Sequence, residues 1–179
     1  MLKGVSEMMT GMSPENIRIE LTEGSSDDLR RRRMIIGLSM VGIGLAATAS
    51  LLQTGVVRHL PDPPVGNFDA DKVMKSNPAY QFGVPDATIA LTGLAANVPL
   101  AAWGGSDRAK DQPLVPIIAA GKAAAEAAAG AWYFYQMPTK LKTWCGYCVA
   151  SAAVYFAIFA LTLPEAKKAL SNLGSGNQL

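Results

Sequence analysis

"KTWCGYCVASAAVYFAIFALTLP", residues 142–164, places both cysteines of the chain three apart at the head of a long apolar run. A soluble redox domain can carry a tetrapeptide such as Cys145-Gly146-Tyr147-Cys148, but an amphipathic helix follows it there. Here Val149 to Leu163 contains no charged residue. A segment without a polar face suits lipid rather than one side of a water-facing core.

The composition agrees. Of 179 residues, 50% are hydrophobic and 17% charged, which admits a membrane protein, and a net charge of +2 is too small to argue for a nucleic-acid partner. Mean hydropathy is only +0.19 because a polar amino-terminal stretch and one polar loop dilute four strongly apolar segments. Met34 to Gly55 is free of charge for 22 residues, enough at about 1.5 Å per residue to cross a hydrocarbon layer of about 30 Å. Val84 to Trp103 is a weaker span, with Asp86 near one end and Pro99 near the other. Leu114 to Met137 is rich in alanine, ends in the aromatic cluster Trp132 to Tyr135 suited to a membrane interface, and carries Lys122 and Glu126 inside. Trp144 to Leu163 is the fourth span, with Pro164 as its expected stop. The expected fold is an all-α integral membrane bundle of four helices, spanning about 34–55, 84–103, 114–137 and 144–163. Polar tails at 1–33 and 164–179 flank it.

Lysines and arginines orient it. With the amino terminus cytoplasmic, that side holds Lys3, Arg18, Arg30 to Arg33, Arg108, Lys110, Lys167 and Lys168, against Arg58, Lys72, Lys75, Lys140 and Lys142 outside. Ten against five places both termini in the cytoplasm of a bacterium, with the chain in its inner membrane. The Arg30 to Arg33 run acts as the anchor. The long, acid-bearing stretch before the first span argues against a cleaved signal peptide. Val56 to Gly83 becomes a 28-residue outer loop, and the cysteines fall at the outer end of the fourth helix.

That position has chemical meaning. The exterior compartment permits disulfides, and the first turn of a helix favours a thiolate. Cys145 is expected to be the more exposed thiol and Cys148 to lie one turn deeper. A dithiol there can pass two electrons to a hydrophobic quinone. A structural disulfide remains an alternative. A metal site has little support, because His59 is the only histidine and there is no third cysteine; covalent haem has less, because Val149 stands where that motif needs histidine.

The string "ADKVMKSNPAYQFGVPDATIALTG", residues 70–93, followed some fifty residues later by "WCGYCVASA", resembles the membrane core of the vitamin K epoxide reductase family over about Met34 to Leu163. The resemblance implies a four-helix bundle around a quinone of ubiquinone or menaquinone type, with Cys145 and Cys148 as the catalytic pair. It also implies quinone contacts from Cys148, Ser76 and Phe82 of the "FGVP" lead-in, with Ser76 orienting the quinone by hydrogen bonding. Members that oxidise thiols carry two further cysteines in the outer loop, where this chain has Asp62 and Ala70, and many place an aromatic where this chain has Ala152.

Two functions follow. One is a quinone-linked thiol oxidoreductase that takes electrons from a thiol-donor protein directly at Cys145. The other is a catalytically degenerate accessory or scaffold subunit of a larger membrane complex. Gly121, Ala125, Ala128 and Ala129 are spaced for close helix packing, and Lys122 and Glu126, four apart, are expected to pair toward the bundle or the inner interface. Residues 1–28 are too polar to build a core and are expected to be mobile or docked on a partner, with "SPEN" at 13–16 able to cap a short helix. The orientation is testable: cysteines introduced singly at Ser25 and Ser106, in a chain lacking the native pair, should resist a membrane-impermeant thiol reagent in intact cells. Ready labelling of either would reverse the topology.

Overall fold

The structure, a computed structural model, describes residues 13–64 and 66–175, and the expectations for residues 1–12 lie outside them. Among the described residues all regular structure is helical, apart from one isolated bridge between Phe68 and Trp144.

Ser13 caps a short helix, α1 (Pro14–Glu23), its hydroxyl accepting from Asn16 N at 3.2 Å with Pro14 at the first helical position. Ser26 does the same for α2 (Asp27–Gln53), accepting from Leu29 N at 3.3 Å, with Asp27 and Asp28 in the first turn where the helix dipole favours carboxylates. The chain then forms a short α3 (Ala70–Met74) and a single 3-10 turn (Asn77–Tyr80) before α4 (Asp86–Ala102). A one-turn α5 (Arg108–Asp111) leads to α6 (Leu114–Gln136), which runs on through a π-helical turn, Met137–Leu141. Last comes α7 (Gly146–Ser175).

Three of these helices, α2, α6 with its π turn, and α7, are long and apolar enough to cross a membrane; α4 is apolar but has only 17 residues. It is shorter than the 84–103 segment because Pro85 and Trp103 have extended backbones that end it at both sides. Helix α2 packs on α4 and α7, and α6 packs on α7, whereas α4 and α6 touch sparingly. Gly42 permits a close crossing of α2 and α4: a Cβ there would lie 2.9 Å from the Leu94 methyls.

The sequence expectations need three corrections. Pro164 does not stop the last helix. Proline removes one backbone hydrogen bond at a cost of about 3 kcal/mol, but the turns beyond it are anchored. Glu165, Ala166 and Ala169 are buried, Lys168 Nζ reaches Asp28 Oδ2 at 2.7 Å, and Asn172 Nδ2 donates to Ala109 O at 3.1 Å. The arginine run is more than an anchor at a boundary. Arg32 is 1% exposed and donates to the carbonyls of Trp103, Gly104 and Gly105, while Arg33 donates to those of Leu21 and Gly24. Thirdly, the small-residue face that α6 uses for packing is Ala119, Ala123, Ala127 and Gly130, all buried, whereas Gly121, Ala125, Ala128 and Ala129 are exposed.

Arg108 completes the arginine end. It donates to Leu100 O at 2.6 Å and Trp103 O at 2.8 Å, satisfying carbonyls at the end of α4, and it holds Glu165 with two bonds of 2.8 and 2.7 Å. Arg32 Nε lies 3.8 Å from the same carboxylate. One buried anion thus neutralises part of two buried guanidiniums that tie α2, α4, α5 and α7 together. Glu165→Leu should therefore destabilise the protein by about 3 to 5 kcal/mol, because both cations stay behind. Denaturant unfolding in detergent, compared with the exposed control Lys167→Leu, measures it.

Candidate functional site

At the opposite end, α6 does not turn directly into α7. The π turn stops at Lys142, whose φ of 55° puts it in the left-handed region; Thr143 bends and Trp144 forms the bridge to Phe68. The loop between α2 and α4 pairs with that stretch. Trp144 N donates to Asn67 O and Asp69 N to Trp144 O, both at 2.9 Å, and the Thr143 hydroxyl donates to Asn67 O at 3.0 Å. Trp144 also meets the Phe134 ring edge-on, with centroids 5.2 Å apart. Cys145 directly follows this clamp and precedes the first residue of α7.

Cys145 and Cys148 are free thiols whose sulfurs lie 2.6 Å apart, and Cys148 N donates to Cys145 Sγ at 3.2 Å. Their exposure reverses the expectation. Cys145 is 0% exposed, packed into a core cluster with Leu60, Ala70, Val73 and Met137, while Cys148 is half-buried. The reason is the loop, which folds back over the helix start. Pro63 sits 3.8 Å from where a Cβ on Gly146 would be, and the Tyr147 hydroxyl donates to Pro61 O at 3.3 Å.

The two loop positions that carry no cysteine remain in contact. Both carboxylate oxygens of Asp62 accept from Ala70 N at 3.0 Å, closing the Asp62–Ala70 segment that covers Cys145. Asp71 adds a second closure, accepting from Leu60 N, Lys75 Nζ and His59 Nδ1, each at 3.1 Å. Burial alone would raise the Asp71 carboxyl; the Leu60 N–H, Lys75 and His59 outweigh it and hold it below the usual carboxylate range.

Beneath the loop lies a cavity of about 270 Å³ between α2, α4, α6 and α7, with mostly apolar walls. Cys148, Ser76 and Phe82 all line it, so the three residues expected to meet a quinone share one space; Cys145 does not reach it. Ser76 Oγ already donates to Val73 O at 2.6 Å, and Phe82 is 69% exposed. Sequence reasoning missed Gln53, which braces the wall. Its Nε2 donates to Met74 O at 3.1 Å and Asp86 Oδ1 at 2.6 Å, its Oε1 accepts from Ala87 N at 3.1 Å, and its backbone carbonyl accepts from Tyr80 OH at 2.9 Å. Gln136, Tyr133 and Tyr155 on the same wall were missed too. A glutamine at the end of an apolar run signals only a boundary, and nothing in its spacing says that it turns inward.

Lys122 and Glu126 do pair, and their network also crosses to α4. Lys122 Nζ donates to Gly93 O at 2.6 Å and Asn97 Oδ1 at 2.9 Å, and Asn97 Nδ2 donates to Glu126 Oε2 at 3.0 Å. Gly93 leaves room for the carboxylate, since a Cβ there would sit 2.6 Å from Glu126 Oε1. Glu126 lines the cavity as well.

The family model described as vitamin K epoxide reductase matches residues 33–163. The chain belongs to that family. Among curated proteins none matches it. Membership in the vitamin K epoxide reductase family carries a general role in membrane thiol–disulfide and quinone redox chemistry, and the apolar helices agree with an integral membrane protein. This member differs from the thiol-oxidising pattern in its closed, thiol-free loop.

The loop closure yields a prediction. In a Cys148→Ser background, where Cys145 is the remaining thiol, Asp62→Ala removes a charge-assisted hydrogen bond of about 1.5 to 3 kcal/mol. The rate at which a small thiol reagent modifies Cys145 should rise roughly tenfold or more. An unchanged rate would mean that Asp62 does not hold the cover shut.

Proposed function

We propose that the protein is a quinone-linked thiol oxidoreductase, a four-span bundle of the bacterial inner membrane with its cysteine end outside. The observation that carries this reading is the position of Cys148, which lines the apolar cavity with Ser76 and Phe82 while its sulfur faces Cys145. Mostly apolar walls with few polar groups suit a flat, uncharged ring better than any ionic substrate.

A quinone of ubiquinone or menaquinone type, when bound, supplies an acceptor for two electrons and two protons. The S–H bonds of Cys145 and Cys148 break and one S–S bond forms between them. The electron pair and both protons go to the two carbonyl oxygens of the quinone, leaving a quinol. Cys148 stands on the cavity side and gives the shorter route. Cys145, at the head of α7, accepts the Cys148 N–H, where a helix start accommodates a negative sulfur. A thiol-donor protein then restores the dithiol by exchange at Cys145, which requires the Asp62–Ala70 cover to lift. Ser76 and Phe82 border the ring, and Gln53 fixes the wall between α2 and α4.

The second reading, an accessory or scaffold subunit of a larger membrane complex, draws on the closed loop. Cys145 has no exposed surface and Asp62 and Ala70 cannot relay electrons, so the pair would serve as core packing.

Turnover separates them. Purified protein given a reduced dithiol and a quinone should produce quinol, and Cys148→Ser should reduce the rate to background by removing half of the two-electron centre. Absence of turnover with several quinones and dithiol donors, together with co-purification at fixed stoichiometry with another membrane complex, would decide for the scaffold.

A further inference from the structure

Several polar side chains on the cavity wall are already hydrogen-bonded, while Ser151 and Tyr155 make no hydrogen bond among the described residues but keep their polar atoms less than fully buried. Gln53 uses both ends of its amide, Ser76 bonds to Val73 O, Tyr133 OH donates to Pro78 O at 3.3 Å, and Glu126 is held by Lys122 and Asn97. Gln136 is different. It is the last residue of α6, it lines the cavity, it is 3% exposed, and its amide nitrogen has no partner. An amide in that state lowers the stability of the fold, and few such groups persist in folded proteins. The amide offers two N–H donors, and its last torsion is two-fold, so either end can face the open space.

We infer that Gln136 positions the ligand headgroup in this cavity, donating an amide N–H to a carbonyl oxygen of the quinone bound beside Cys148. The inference rests on the redox reading above and adds its orienting residue. The ligand must be largely apolar to match the walls, and it must bring an acceptor to satisfy the donor; a charged group would be stranded among apolar side chains. A hydrogen bond to one carbonyl fixes the ring in its plane. It also stabilises the negative charge that gathers on that oxygen as the electron pair arrives.

The test uses the full chain in detergent, a naphthoquinone labelled with carbon-13 at its carbonyls, and the near-isosteric Gln136→Met. Without quinone the variant should melt at the same or a higher temperature, because it loses an unpartnered buried amide. Its affinity for the naphthoquinone should fall about fivefold or more. The infrared carbonyl band of the bound label, shifted to lower frequency in the wild type, should return toward its free position. A lower melting temperature, an unchanged affinity or an unchanged band would each overturn the inference, the last two pointing to an ordered water or a lipid ester carbonyl as the natural partner of the amide. If wild-type protein binds no quinone, the redox reading falls with it. If both proteins bind and turn over quinone with the same band, the redox reading stands and only the role of Gln136 is lost.

Discussion

Asn67 and Asp69 share three hydrogen bonds with Thr143 and Trp144, and the arrangement of the cysteine end depends on them. They join a loop that begins after the first long helix to the turn that begins the last one, and so set the height at which the loop crosses the head of α7. From that crossing follow the burial of Cys145, the contact of Pro63 with the helix start, and the roof of the cavity. The left-handed Lys142 is part of the same constraint. A continuous helix from α6 into the turn would leave no free backbone for the loop to pair with.

The two ends of the bundle solve opposite problems. At the arginine end, buried charge is matched by buried charge; Arg32 donates to backbone carbonyls at and just beyond the end of α4, and Arg108 divides its donors between such carbonyls and Glu165. At the cysteine end the walls are apolar and the polar groups are braces, with Gln53 and Asp86 joining α2 to α4. The first end is rigid in the way of a salt-bridged core. The second keeps a space.

The long apolar runs, the all-helical class and the family were legible in the sequence, because lipid-facing helices leave charge-free stretches and a dithiol ahead of such a stretch is uncommon. That Ser76, Phe82 and Cys148 share one cavity was foreshadowed by resemblance, not by periodicity. What the sequence hid were outcomes of tertiary contact. Pro164 signals a helix end locally, but ion pairs and buried alanines beyond it carry the helix on. Arg32 is indistinguishable in sequence from Arg30, yet one is buried against α4 and the other faces outward. Cys145 appeared exposed because it starts a helix at the membrane boundary, and only the path of the loop buries it. Gln136 looks like the polar end of an aromatic cluster until the cavity beside it is seen.

The Asp62 carboxylate on the Ala70 N–H has a consequence for timing. Two cysteines at these positions could lock the loop covalently, and its opening would then wait on thiol exchange and follow the redox poise of the compartment. A carboxylate and an amide separate and rejoin as fast as the backbone moves, whatever the poise. A loop closed this way would open without waiting on electron supply, and would answer instead to whatever competes for a carboxylate: a proton, a cation, or the backbone of an incoming chain.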